Sequence, residues 1–432
     1  MRYQRIDPKL FTENRKRLAA MMGPNSLAVV NANDLLPRNS DALNLIIPQT
    51  DLFYLSGIEQ EETILLICPS AFDEKLREVL FVRETSDLLK VWEGHKHTKE
   101  EAAEISGIKN VQLLADFPAI FHRLMCEVES VYLNSNEHPR ASVIVETRDA
   151  RFVADTLRRY PLHRYERLGR LMYKLRGTKS EREIELLRKA AEVSGKGFRR
   201  IARALKPGVM EYELEAEYAH EFLRHGGQFA YSPIIASGAN SCVLHYVKND
   251  QECKAGGVLL VDVAASYANY NADLTRTLPV SGKFSKRQRK VYDAVRRVQR
   301  ASIKGATVGK LHRDWQKEAQ LMMNEELLSL GLIKKEDIQK QTEETPACWK
   351  YFPHGLGHAL GLDVHDYGWT MEPFTDGFVV TVEPGIYIPE EGFGVRLEND
   401  IVVRKGGNED LCANIPIEAE EVEDLMHSVV PA

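Results

Sequence analysis

No two of the six cysteines (Cys68, Cys126, Cys242, Cys253, Cys348 and Cys412) form a CxxC pair. That excludes a zinc knuckle or a disulfide frame and leaves reduced, buried thiols. No apolar run approaches the roughly 20 residues needed to cross a bilayer. The opening MRYQRIDPKLF has no apolar signal core, so a cytoplasmic protein without membrane partners is expected. Charge of one sign is scarce too: 57 Lys and Arg against 63 Asp and Glu leave a net −6, which gives no general attraction to nucleic acid or anionic membranes. Nucleotide-binding loops are missing as well. Gly305 to Lys310 is one residue short of a P-loop and runs into Leu311, and Gly355-Leu-Gly357 lacks a third glycine in the right place. The basic stretch 282–300 reads as one solvated face of a helix, capped by Ser285 and Gln288, with Val291, Ala294, Val295 and Val298 as its apolar stripe.

Lysine is also absent from four short segments that together carry four carboxylates and a histidine. They are VDVAASYANYNADLTRT, HGLGHALGLDVHD, VTVEPGIYI and GVRLENDIVV, holding Asp262, Asp273, His358, Glu383 and Glu398. Buried carboxylates are costly without positive partners, and two arginines, Arg276 and Arg396, are too few. A pair of divalent cations would balance them, so a two-metal hydrolase is the leading reading. Val258 to Val261 and Tyr270 to Thr277 predict two strands joined through Ser266 to Asn269. A turn centred between Tyr267 and Ala268 would set Asp262 opposite Asp273, a repulsive pairing unless a cation lies between them. Period two puts Arg396, Glu398 and Asp400 on one face and Val395 and Leu397 on the other. His354 and His358, four apart, share a face, and the glycines around them argue against a long helix.

Upstream, Ser26 to Val30, Thr63 to Ile67, Val79 to Val82 and Val131 to Leu133 read as strands between helical stretches, an α/β pattern. A boundary is expected near Arg170 to Gly177, before a helix opened by a Thr178–Glu181 capping box. Ile184, Leu187, Ala191, Phe198, Ile201 and Leu205 follow helical spacing there, with Ser194 the exception. Helices precede and interleave with the acid-bearing strands, so this half is α+β.

Each acid alone would pass for a strand-edge charge; the order Asp, Asp, His, Glu, Glu is specific. With it come LRGTKSEREIELLRKAAEVS, PIIASGANSCVLHY and, in the first half, RNSD at 38–41 and DLFYLSGIEQEE at 51–62. Across nearly its whole length the chain resembles the pita-bread metallopeptidases, most closely the bacterial aminopeptidase P (Xaa-Pro aminopeptidase) family. The resemblance implies an α/β amino-terminal domain, 1–172, and a pita-bread α+β catalytic domain, 173–432. It implies peptide substrates with proline second and a homo-oligomer, dimer or tetramer. It also implies two divalent metals, manganese first, with zinc, cobalt or iron as alternatives. Asp273 and Glu398 would bridge both metals, Asp262 would bind one, and His358 and Glu383 would complete the other. A hydroxide held between the metals would attack, with Glu383 as acid/base partner. His245 and His365 would stabilise the tetrahedral species and the leaving nitrogen, His354 would line the proline pocket, and Arg396 would orient Glu398 and the nearby acids. Prolidase, on the same fold, and a non-catalytic pita-bread binding module are the alternatives. Two departures stand out: apolar Ile46-Ile47-Pro48 after RNSD, and a short stretch between His365 and Glu383 lacking an expected arginine.

Overall fold

The computed structural model describes residues 2–44, 47–138, 140–368 and 371–428. Ile46 of the first departure, and Trp369 and Thr370 of the second, lie outside the described residues. The chain forms two compact units, Gln4–Leu175 and Met1–Tyr3 with Arg176–Ala432. The expected boundary at 172/173 falls within the helix Leu168–Gly177.

In the first unit, six strands make one mixed sheet: β1 (Ser26–Asn31), β2 (Ile64–Ile67), β3 (Glu78–Val82), β4 (Val111–Leu113), β5 (Ser130–Leu133) and β6 (Arg164–Arg167). Their spatial order is β4-β3-β2-β1-β5-β6. β1 pairs antiparallel with β2 and parallel with β5. All its residues are buried, so the apolar run SLAVVN covers both faces, as a central strand needs. The four strands read from the sequence are all present, to within a residue or so at their ends. RNSD sits on an exposed two-stranded ribbon, Pro37–Asn39 with Ala42–Leu43.

The second unit is α+β. Its long helix Glu181–Ala204 opens on a capping box, formed by Ser180 and Glu183 instead of the expected Thr178 and Glu181. Thr178 is already used, its hydroxyl 2.7 Å from that of Thr375. All six apolar positions expected on this helix face are buried. The odd residue, Ser194, is buried as well; its hydroxyl donates to Ala190 O at 2.8 Å and accepts from Ala265 N at 2.8 Å. A polar side chain there is therefore fully used, tying the helix to a strand edge.

Seven further strands frame the acids: β7 (Ile234–Ser237), β8 (Val258–Asp262), β9 (Thr275–Pro279), β10 (Val379–Val382), β11 (Gly385–Ile388), β12 (Phe393–Arg396) and β13 (Asn399–Val402). β7-β8-β9 form one antiparallel sheet; β10 pairs with β13, and β11 with β12. One core joins Val380, Val382, Ile386, Val395 and Leu397 to Val291, Val295 and Val298 of helix Lys286–Gly305 and Trp315 of helix His312–Ser329. The alternation then turns Arg396 and Glu398 away from this core. Ser285 and Gln288 cap helix 286–305 as expected. Its arginines are matched to acids: Arg287 to Glu391, Arg289 to Glu420, Arg296 and Arg300 to Glu418, and Arg297 to Glu326. These arginines are thus spent on acids within the protein.

Candidate metal centre

Asp262 ends β8 and Asp273 precedes β9, but they are not opposite each other. The register sets Asp262 against Thr275. The turn lies one residue later than expected, at Ala268 and Asn269, which both take positive φ (52° and 65°) and join Ala265–Tyr267 to Tyr270–Asn271. Two consecutive left-handed residues are what a tight two-residue hairpin requires. The expected strand Tyr270 to Thr277 is also broken between Asn271 and Thr275, at the aspartate. There the backbone is drawn off the ladder: Asp273 N–H donates to Asp400 Oδ2 at 2.9 Å and Asn271 N–H to Gly361 O at 2.9 Å.

A residue missed by the sequence reading joins the two aspartates. The Tyr231 hydroxyl lies 2.6 Å from Asp262 Oδ1 and 2.6 Å from Asp273 Oδ1. One hydroxyl has one proton to give, so with both carboxylates ionised one close contact has no hydrogen in it. Burial, with Asp262, Asp273 and Glu398 next, pushes the Tyr231 hydroxyl well above its usual range, so the phenol keeps its proton. Only its aromatic setting in FAYSPIIASG could have drawn attention to it.

His358 reaches the acids from a glycine-rich segment laid along β10. Thr381 N–H donates to His358 O at 3.0 Å, and the Thr381 hydroxyl accepts from His358 N–H at 3.1 Å. A Cβ on Gly357 would lie 1.9 Å from Thr381 O, so only glycine allows this contact. The imidazole Nδ1 is 3.1 Å from Ala359 O, which leaves Nε2 facing Asp273 Oδ2 at 3.5 Å and Glu383 Oε1 at 3.7 Å. A ring N–H on a backbone carbonyl with the other nitrogen presented to acids is the arrangement of a metal-ligating histidine. Donor atoms of Asp273, His358 and Glu398 all lie within 4.8 Å of one another. Glu383 follows β10, its N–H held by Leu356 O at 2.8 Å.

The charges show why such a set needs cations. Burial raises Asp262 and lifts Glu398 well above the carboxylate range, and for Glu398 the neighbouring Asp273, Glu383 and Asp262 add to it. Burial likewise pushes Glu383 up to about 7. Burial works against charge on His358, but Asp273 and Glu383 outweigh it and raise its pKa. Among the described residues one arginine serves these acids directly. Arg396 donates to Asp262 Oδ2 at 2.6 Å and to the Thr275 hydroxyl at 3.1 Å, and that hydroxyl donates to Glu398 Oε2 at 2.6 Å. Its expected hold on Glu398 thus runs through Thr275. Arg276 is spent on the backbone carbonyls of Thr275, Glu398, Ile415 and Pro416. Four acids against one guanidinium and one imidazole fit a pair of divalent cations.

The other expected histidines differ in setting. His354 stands beside Glu383, its Nδ1 3.8 Å from Oε2 and 2.8 Å from Gly355 O. Its Nε2 lies 2.7 Å from the hydroxyl of Tyr387, which accepts from Arg396 Nη1 at 2.9 Å. Burial, then Arg396, lowers its pKa to about 3, so it stays neutral. Tyr387, the hub of this chain of bonds, was not picked out from the sequence. His365 is exposed, its ring edge-on to His358 at 4.3 Å. The segment carrying it is clamped by Arg176, which binds Asp363 and Asp366 at 2.6 Å each, with Lys179 3.1 Å from Asp366. His245 lies exposed on a turn, near enough for its charge to act on His354.

Comparison with known proteins agrees with this geometry. Residues 185–405 match metallopeptidase family M24, and residues 11–132 match the aminopeptidase P N-terminal domain. The chain is 31% identical to an Xaa-Pro aminopeptidase of Haemophilus influenzae over 96% of its own length and 97% of that protein's. It is 32% identical to an Xaa-Pro aminopeptidase of Escherichia coli over 98% of both. The structure of zinc-substituted E. coli aminopeptidase P with product superposes with a TM-score of 0.87 at 31% identity, covering 98% of this chain and 99% of that one. The pita-bread architecture expected from the sequence is thus present, and the chain belongs to metallopeptidase family M24, in the form that carries an aminopeptidase P N-terminal domain.

Proposed function

We propose that this protein is a metal-dependent aminopeptidase that hydrolyses the bond between the first residue of a peptide and a proline at position two. The observation that carries the reading is the convergence of Asp273, His358 and Glu398, with Asp262 and Glu383 beside them, in a chain alike from end to end to Xaa-Pro aminopeptidases. Asp262, Asp273, His358, Glu383 and Glu398 would hold two divalent ions, with Asp273 and Glu398 shared between them. The carboxylate-rich set suits manganese, and zinc, cobalt or iron can use the same donors. Bound there, such ions would supply Lewis acidity for a carbonyl oxygen and a lowered pKa for bound water.

The protein's own groups divide the remaining work. Glu383 is the group to take a proton and pass it on, as acid/base partner. An Xaa-Pro nitrogen has no hydrogen and lies within a ring, so cleavage needs a proton delivered to that nitrogen. His365 and His245 are the groups for this end of the bond and for charge on the carbonyl oxygen. His354, kept neutral and bonded to Tyr387, offers an uncharged ring edge to a proline. Arg396 is a positioning residue, fixing Asp262 directly and Glu398 through Thr275.

The reading also includes an amino-terminal domain over 1–172, a catalytic domain over 173–432, a homo-oligomer and a cytoplasmic location. The free cysteines suit a reducing compartment. The test is a cleavage panel run on chelated and manganese-restored enzyme. Release of the first residue from Xaa-Pro-Xaa, lost with chelator and regained with metal, is expected. Equal cleavage of Xaa-Ala peptides, or indifference to chelator, would refute the reading, and activity confined to Xaa-Pro dipeptides would identify a prolidase instead.

A further inference from the structure

We infer that His95, His97 and Glu101, in the first unit, form an accessory site for a divalent transition metal of the zinc type, sharing no residue with the acid-rich centre. Their donor atoms all lie within 4.8 Å of one another. His95 Nε2 is 2.7 Å from Glu101 Oε2, and the two imidazoles stand edge to face, their centroids 6.3 Å apart. The sequence makes this cluster with one short loop. Gly94, at φ 79°, ends the helix Asp87–Glu93, and Thr98 caps the helix Lys99–Ser106, so both histidines fall in the tight connection between.

Each part of the cluster is held by bonds that need no metal. Thr98 N–H donates to Glu101 Oε2 at 2.9 Å and Glu101 N–H to the Thr98 hydroxyl at 3.2 Å, fixing the carboxylate over the loop. His97 N–H donates to Gln60 Oε1 at 2.8 Å. The lysine between the histidines is directed elsewhere, Lys96 Nζ lying 2.5 Å from Glu61 and 3.5 Å from Glu93. Burial lowers the pKa of His97, so its imidazole is uncharged and free to ligate. Glu101 and Glu59 both act electrostatically on His97, and their negative charge favours a cation beside it.

Two imidazoles and one carboxylate form the His₂Glu set that binds zinc with a position left open for water. Ligand bonds of about 2.0–2.1 Å would place the donors about 3.3 Å apart. His95 and Glu101 must therefore separate slightly and His97 draw in, movements available to exposed or half-buried side chains. Softness separates this site from the other one: imidazole-rich donors favour zinc, cobalt or nickel, carboxylate-rich donors favour manganese.

The test is a comparison on the full-length protein, first saturated with manganese and then titrated with zinc. Metal content after gel filtration and binding heat are read for wild type, His95→Ala/His97→Ala and Glu101→Gln. Glutamine keeps an acceptor for the Thr98 N–H, so the helix cap survives. Wild type should retain one equivalent of zinc more than the double variant, and Glu101→Gln should bind that equivalent at least tenfold more weakly. Xaa-Pro cleavage should be the same in all three. Because the readout is a difference between proteins, it holds whatever metals the acid-rich centre takes up. Equal zinc content in wild type and the double variant, or unchanged affinity in Glu101→Gln with its fold intact, overturns the inference.

Discussion

Stripping the metals should reverse the way stability depends on pH. Without cations, burial pushes the Glu383 carboxyl from an ordinary 4.5 up to about 7, with Asp273 and Asp262 adding to it and His358 and Arg396 opposing it. A folded-state pKa above the unfolded one means the folded form binds the proton more tightly. The stability this contributes is complete below about 4.5 and is lost as pH rises toward 7. At 1.36 kcal/mol per pH unit the swing from this one group is about 3 kcal/mol. For a folding unit of this size that corresponds to a midpoint change on the order of 10 °C. Manganese-loaded protein should run the other way, because the ligands bind metal only when deprotonated. The assay is thermal unfolding between pH 4.5 and 8, with chelator and with manganese, on wild type and Glu383→Gln. Glutamine cannot titrate, so the chelated variant should lack this part of the loss. Parallel curves for the two chelated proteins would refute the argument, as would chelated wild type gaining stability across that range.

Glu383→Gln should also lower kcat by at least about 10²–10⁴-fold, the range of general acid/base catalysis; turnover within a few-fold of wild type on an Xaa-Pro peptide would reject the role. His365→Ala and His245→Ala should keep their metal content while kcat falls by about 10²–10³-fold, as for lost transition-state donors. Parallel loss of metal, read by elemental analysis, would mark either residue as a ligand or ligand support. Tyr387→Phe strands Arg396 Nη1 and His354 Nε2 and should destabilise the fold by about 1–3 kcal/mol. A change below about 0.5 kcal/mol in denaturant unfolding would show that these bonds are replaced by others.

Much of this centre could be read from the chain because strand periodicity and glycine placement are local. Val395 and Leu397 on one face with Arg396 and Glu398 on the other follows from period two alone, and the need for cations follows from the cost of burying a run of acids. Errors arose where groups distant in the chain compete for backbone hydrogen bonds. Asp273 lies outside a regular strand because Asp400, far along the chain, takes its N–H, and no local pattern carries that. The hairpin register slipped for a related reason: Ala268 adopts positive φ, which its residue type does not announce. Tyr231, in the bend before β7, and Thr275 and Tyr387, within strands, went unnoticed because an aromatic or a threonine reads as ordinary packing. Their part in the site depends on which acid or ring lies opposite.

The clasp between Thr381 and the glycine-rich segment has a consequence for how such a protein can diverge. His358 is pinned to β10 through Thr381, and Glu383 leaves the same strand two residues later. Both donors thus take their positions from one rigid rail, and the connection between them runs outside it. Residues in that excursion can be added or dropped without altering the spacing of His358 and Glu383, which accommodates the short stretch after His365.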